Sequence, residues 1–242
     1  ILPLPPTGKL SAIEFYLPLA SYSIVMCIDI GAAVLFTMNL DVYKAKLRRA
    51  YIGIAAGVVI SAIGIMQIPV IQVLDATQSA WVLSGGVILP FLFADLILYL
   101  AVQYFARILG VKHILTRVWI VLPVILVVSA STSLLPHVDV GTPELVRNVA
   151  LGITAWGACL VLSAGILTLA VSQRIGAHYA QAMTWLARAL FVSFVALVVQ
   201  AIHTLFTSEN TDLVSKAIII LAVIGSFAWL RAGYAFAQTK EY

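Results

Sequence analysis

Seven stretches of this chain stay apolar for long enough to cross a bilayer, and they leave little sequence for anything else. A helical crossing takes about 20 predominantly apolar residues. The segments run about 14–39, 49–74, 81–107, 115–136, 146–172, 181–207 and 213–236. Short polar breaks separate them, such as "ATQSA" at 76–80 and "SENTD" at 208–212. "PHVDVGTPE", 136–144, carries two prolines and a glycine, which end helices. Only 10% of the 242 residues are charged and 62% are hydrophobic, against about 25% charged in a soluble domain. No core of this size hides so much apolar surface, so the surrounding solvent is lipid. The expectation is an all-α integral membrane protein: one seven-helix transmembrane bundle over residues 1–242.

Basic residues orient that bundle. The first loop holds Lys44, Lys46, Arg48 and Arg49, and the third holds Arg107, Lys112 and Arg117. The fifth holds Arg174, with Arg188 further along, and the C-terminal end has Arg231 and Lys240. Loops two and six have no Lys or Arg, and loop four has only Arg147 at its end. The positive-inside rule then places loops one, three and five and the C-terminus in the cytoplasm and the N-terminus outside. The expected location is a plasma membrane or a bacterial inner membrane. The net charge of +4 belongs to these loops; with no long Lys/Arg cluster, no nucleic-acid partner is expected.

The ends of the chain carry little more. It begins at Ile1, which reads as an incomplete or processed N-terminus, and "ILPLPPTGKL" is too short and proline-rich for a signal peptide. "AFAQTKEY" fits either a natural end or a cut ahead of a soluble output domain. Cys27 and Cys159 fall inside apolar segments and read as reduced, small core residues.

Several residues speak of packing. In segment two Gly53, Gly57, Ser61 and Gly64 form one helical stripe, and small residues at that spacing let backbones approach closely in lipid. Packing within the chain is the expectation; a dimer interface is the alternative. Pro18, Pro69, Pro90 and Pro123 lie within segments and are expected to kink them. Trp81, Trp119 and Trp229 lie near segment boundaries and read as interfacial anchors, a role that Trp156 and Trp185 fit less clearly.

The candidate functional residues are polar groups at membrane depth. Asp29 interrupts "SIVMCIDIGAAVLF" in segment one, and Asp95 interrupts "GGVILPFLFADLILYLAV" in segment three. A carboxylate at the bilayer centre costs about 2.5–3.5 kcal/mol on insertion scales, so each must face inward, pair, or stay protonated. Tyr22 shares a face with Asp29, and Ser84, Phe91, Tyr99 and Gln103 run in phase with Asp95. Segment six adds Ser193, Gln200, His203, Thr204 and Thr207, and Lys216 stands about one turn into segment seven. The polar groups gather in the outer half, so the expectation is an outward-facing polar cavity with the two aspartates at its floor. The candidate ligand-binding or proton-handling residues are therefore Asp29, Asp95, Tyr22, Ser84, Tyr99, Gln200, His203 and Lys216. The plainer alternatives are that each aspartate only bridges helices and that Lys216 only snorkels to the surface.

Other chemistries lack support. His113 and His178 belong to one side of the membrane, and His137 and His203 to the other, so no metal site is expected. No phosphate loop, dinucleotide turn, HExxH or nucleophile elbow occurs, so nothing argues for an enzyme or identifies a cofactor. "PFLFADL", 90–96, resembles the third helix of microbial rhodopsins, where a proline precedes a proton-donor aspartate at the same spacing. Those proteins need a Schiff-base lysine deep in the last helix, and Lys216 is too shallow. The aromatic pattern of their sixth helix is also missing from "ALFVSFVALVVQ". The resemblance covers seven residues, and the family is not assigned. The topology is also similar to that of seven-helix sensory regions preceding bacterial signalling domains.

Three functional classes follow. The first is a receptor or sensor module that binds a small-molecule ligand from outside. The second is a carrier coupled to protons or cations through Asp29 and Asp95. The third is a structural subunit of a larger membrane complex. The partners expected are the lipid bilayer, a small ligand or transported ion, and other membrane proteins or further copies of the chain.

Overall fold

The computed structural model describes residues 12–38, 40, 45–73, 89–111, 143–205 and 211–241. These residues form six long α-helices: α1 (Ala12–Thr37), α2 (Ala45–Val73), α3 (Leu89–Ile108), α4 (Pro143–Ser172), α5 (Ala177–Leu205) and α6 (Thr211–Ala237). A short 3-10 turn, Gln238–Glu241, follows α6. No strand occurs among the described residues. The helices form because long apolar runs in lipid must satisfy every backbone group internally. All six are long and apolar enough to cross a membrane. The expected segment at 115–136 lies outside the described residues, as do Ser84, Trp81, Trp119 and Pro123.

The helices pack as a ring in chain order, α1 against α2, α2 against α3, and so on, with α6 closing onto α1. Two antiparallel contacts show how the sequence sets the spacing. A Cβ on Gly53 would stand 2.8 Å from Cβ of Ala101, and one on Gly57 would stand 2.5 Å from Cγ of Leu98. Gly64 meets the Phe91 ring in the same way. The glycine stripe of α2 is therefore spent on α3 within the chain, as its spacing implies. Side chains large and apolar point away from the ring on every helix: Ile24 and Val34, Ile63, Phe93, Ile166, Ile202, and Ile224 and Phe227. A surface of that kind belongs in hydrocarbon.

Inside the ring, rings of another kind mark two levels. Phe36, Tyr51, Phe105 and Phe236 meet edge-on or tilted, with centroid separations of 5.2–5.9 Å along Phe36–Phe236–Tyr51–Phe105. Tyr22, Val25 and Ile65 form a smaller cluster with Phe91 at the other level. The aromatic contacts bring the C-terminal ends of α1, α3 and α6 beside the N-terminal end of α2. Lys46, Arg48, Arg49, Arg107 and Arg231 thus collect at one end of the bundle, all exposed.

Three expectations need correction. Trp229 is no interfacial anchor: it is buried, with its ring 6.5 Å from that of Phe36, because its face of α6 is the one that closes onto α1. Pro90 stands in the first turn of α3, where its missing N–H has no intrahelical partner to lose, so it does not kink the helix. Cys27 is exposed on the outer face of α1 rather than held in the core, and both cysteines are free. Below α3, Gly110 adopts φ 70°, and N–H groups of Gly110 and Val111 bond to the carbonyls of Arg107 and Ala106. That is the left-handed glycine cap that ends many helices.

Candidate functional site: aspartates in two parallel seams

The directions of the helices decide where the aspartates sit. The contacts Gly53–Ala101 and Gly64–Phe91 make α2 and α3 antiparallel, and Gly165–Phe191 does the same for α4 and α5. By contrast, Gly31 meets Leu230 and Gly233 meets Ala32, so α1 and α6 run side by side in one direction. α3 and α4 are the other parallel pair. Each buried aspartate occupies one of these two seams, on opposite sides of the ring.

Asp29 lies in the α1–α6 seam at 4% exposure. Ser226 of α6 donates a hydrogen bond to its carboxylate. Its Oδ1 is buried with no hydrogen-bond partner. An orphaned oxygen of this kind is costly in a medium without water. Asp29 stands seven residues from both Tyr22 and Phe36, about 10 Å from each level at 1.5 Å per residue.

Asp95 lies in the α3–α4 seam at 8% exposure. Its Oδ2 approaches Gly157 so closely that a Cβ there would stand 2.5 Å away, with Leu197 of α5 beyond. Asp95 is four residues below Phe91, about 6 Å, so it sits nearly one turn closer to that level than Asp29 does. Tyr99, one turn on, is buried, and its hydroxyl accepts a hydrogen bond from Gln103 at 3.2 Å. Beside Gly157, the indole Nε1 of Trp156 is also buried without a hydrogen-bond partner.

Among the described residues, several other buried or half-buried hydroxyls are already used. Ser163 donates to the Cys159 carbonyl at 2.7 Å, and Thr168 to the Ala164 carbonyl at 2.7 Å. Ser193 donates to the Ala189 carbonyl at 3.0 Å. These bonds run to the turn before and absorb the hydroxyl locally. Ser226 differs because it reaches across a seam.

The eight candidates therefore divide. Tyr22, Asp29, Asp95 and Tyr99 are buried. Gln200 and Lys216 are exposed on the adjacent helices α5 and α6 and are not buried with the aspartates. His203 belongs to α5, but its side chain and the whole of Ser84 lie outside the described residues. Sequence reading missed Ser226, Gly157 and Trp156. Ser226 sits beside Gly225 on a helix face of small residues, the one signal in the sequence that α6 makes a close contact there. A shallow groove of about 310 Å³ opens elsewhere, on the outer face of α2 and α3, between Arg49, Gly53, Leu100 and Tyr104. Among the described residues no three His, Cys, Asp or Glu side chains converge as metal ligands would.

Six apolar helices in a lipid-compatible ring are the make-up of a multi-pass integral membrane protein. Set beside models of protein families, curated proteins and solved structures, the chain matches none.

Proposed function

We propose that the chain is a seven-helix membrane receptor or sensor module, N-terminus outside and C-terminus cytoplasmic, with a polar site open to the outside for a small ligand. A seventh crossing is supported by a relation between described helices. α3 ends at the basic end of the bundle, and α4, parallel to it, begins at the other, so the chain between them has one bundle length to return. Residues 115–136 are apolar enough to do so.

The observation that carries the sensor reading is Asp29 and its orphaned oxygen in the α1–α6 seam. A ligand that supplies a donor to Oδ1 removes a cost present only without it. The contact holds α1 against α6, and α6 runs as one rod from that point to the basic end. A change in the seam is therefore a shift of α6 where it leaves the bundle, which is the differential contact a two-state switch requires. The carrier reading draws on the central depth of the same aspartates. Against it, Asp29 and Asp95 stand in opposite seams with the packed core between them.

Reconstituted protein in liposomes holding a pH-sensitive dye tests both. The sensor reading expects no gradient-driven flux. It also expects a thermal-shift screen of small cationic and neutral polar solutes to yield a stabilising compound whose effect is lost in Asp29→Asn. Flux that vanishes in Asp29→Asn or Asp95→Asn, with the fold intact, would make the protein a carrier.

A further inference from the structure

Two arginines on adjacent helices share one tryptophan on the outside of the ring. The Arg188 guanidinium lies 4.5 Å from the centre of the Trp185 ring, and the Arg231 guanidinium lies 5.9 Å from it. Arg231 also lies 5.3 Å from the Tyr234 ring. The two cations are thus within about 10 Å of each other, and both side chains are exposed. No ion pair to either arginine occurs among the described residues. Like charges at this separation repel over little more than a Debye length, and in a membrane they are shielded less than in water.

Their depth is informative. Trp185 precedes Arg188 by three residues on α5, and Tyr234 follows Arg231 by three on α6, so both guanidiniums reach toward the basic end. That is snorkelling toward a headgroup layer, beside the two aromatic types that favour the same layer. Farther into the bundle the same outer faces turn apolar, as far as the exposed Gln200 on α5 and Lys216 on α6 toward the other end. On α6, Ile220, Ile224 and Phe227 are 59%, 50% and 57% exposed and run in phase with Arg231. On α5, Val195 and Ile202 follow Arg188 at intervals of seven.

We propose that Arg188 and Arg231, braced by Trp185 and Tyr234, bind the phosphate of an anionic phospholipid in the leaflet at the basic end. Its acyl chain lies along Phe227, Ile224 and Ile220. The two guanidinium forks match a phosphate that accepts from both, and the apolar track begins where the headgroup ends. A second copy of the chain fits this face poorly. A two-fold interface places each patch against itself, bringing four guanidiniums together in an apolar contact.

The test reads quenching of tryptophan fluorescence by brominated lipid in phosphatidylcholine vesicles doped with phosphatidylglycerol. The Trp185 contribution is taken from the difference between wild type and Trp185→Phe. Brominated phosphatidylglycerol is expected to quench it at a mole fraction on the order of tenfold lower than brominated phosphatidylcholine does. Arg188→Gln with Arg231→Gln should abolish that preference, and Arg49→Gln, which removes a cation from the same end, should leave it intact. Excess inorganic phosphate should not displace the lipid. Equal quenching by the two lipids overturns the proposal, and that wild-type comparison stands even if the double variant fails to fold. An equal loss in Arg49→Gln would mean a diffuse surface charge, and displacement by phosphate an anion slot indifferent to lipid. Disulfide-linked pairs formed through Val195→Cys, in a background lacking Cys27 and Cys159, would put a second copy on this face instead.

Discussion

Asp95 and Gly157 meet across the α3–α4 seam so closely that a Cβ on Gly157 would stand 2.5 Å from Oδ2 of Asp95. The absent side chain is what lets the carboxyl lie against α4. In Gly157→Ala the carboxyl must turn aside or the helices must part. Turning is the easier response, because the carboxyl ends a short side chain. The expected loss is about 1–2 kcal/mol, most of it absent when Asp95 is already Ala. Unfolding of both single variants and the double in detergent measures the coupling. Strictly additive losses would show that the contact carries no energy.

Gly57 allows no such escape. A Cβ there meets the branch carbon of Leu98 at 2.5 Å and the Ala94 carbonyl oxygen at 3.2 Å, neither of which can swing away. Gly57→Ala should cost about 2–3 kcal/mol. At Gly31 the nearest atom to a new Cβ is Cδ1 of Leu230 at 3.7 Å, an ordinary contact, so Gly31→Ala should stay within about 0.5 kcal/mol. Melting temperatures in the same detergent decide. Equal shifts would mean that α2 and α3 are not held at this distance.

What could be read before the structure follows from what one helix can reveal about itself. Apolar length identifies each crossing, and the spacing of Gly53, Gly57 and Gly64 marks a face that α3 must cover. The inward direction of Asp29 and Asp95 follows from the cost of a carboxylate in lipid. Relations between helices were not legible in the same way. Ser226 has the same composition signature as any small packing residue, and only the closure of α6 onto α1 makes it the donor to Asp29. Trp229 looked like an anchor because nothing in its own helix shows that this face of α6 turns onto Phe36 of α1. Polarity alone grouped Gln200 and Lys216 with the aspartates. A long polar side chain near a helix end can point outward without penalty, whereas one at mid-depth cannot.

Ser226→Ala tests the α1–α6 seam. It takes the donor from Asp29, whose Oδ1 already lacks one. Leaving a buried acceptor unmatched costs about 1–3 kcal/mol, and that is the expected loss. Asp29→Asn should cost less, since the amide accepts from Ser226 and carries no charge to bury. The order of the two melting temperatures is the measurement. Ser226→Ala indistinguishable from wild type would mean that the hydrogen bond holds nothing.

Orientation in the membrane is open to a direct check in a background lacking Cys27 and Cys159. Cysteines at Thr77, Thr142 or Asn210 should react with an impermeant thiol reagent added to intact cells, and cysteines at Ala45, Lys112 or Gly176 should not. Reaction at Lys112 from outside would reverse or break the proposed topology.

The closure of the ring by α6 on α1 also bears on how the protein is made. Asp29 emerges from the ribosome roughly 200 residues ahead of Ser226. At 5–20 residues per second the interval is about 10–40 s. Through that time α1 sits in the bilayer with a carboxyl and no native partner. Something must shelter it, whether the insertion machinery, a neighbouring nascent helix or a proton. The helix that closes the ring is therefore the one that releases α1 from custody, and a chain stalled before residue 226 leaves α1 as the natural target for membrane quality control.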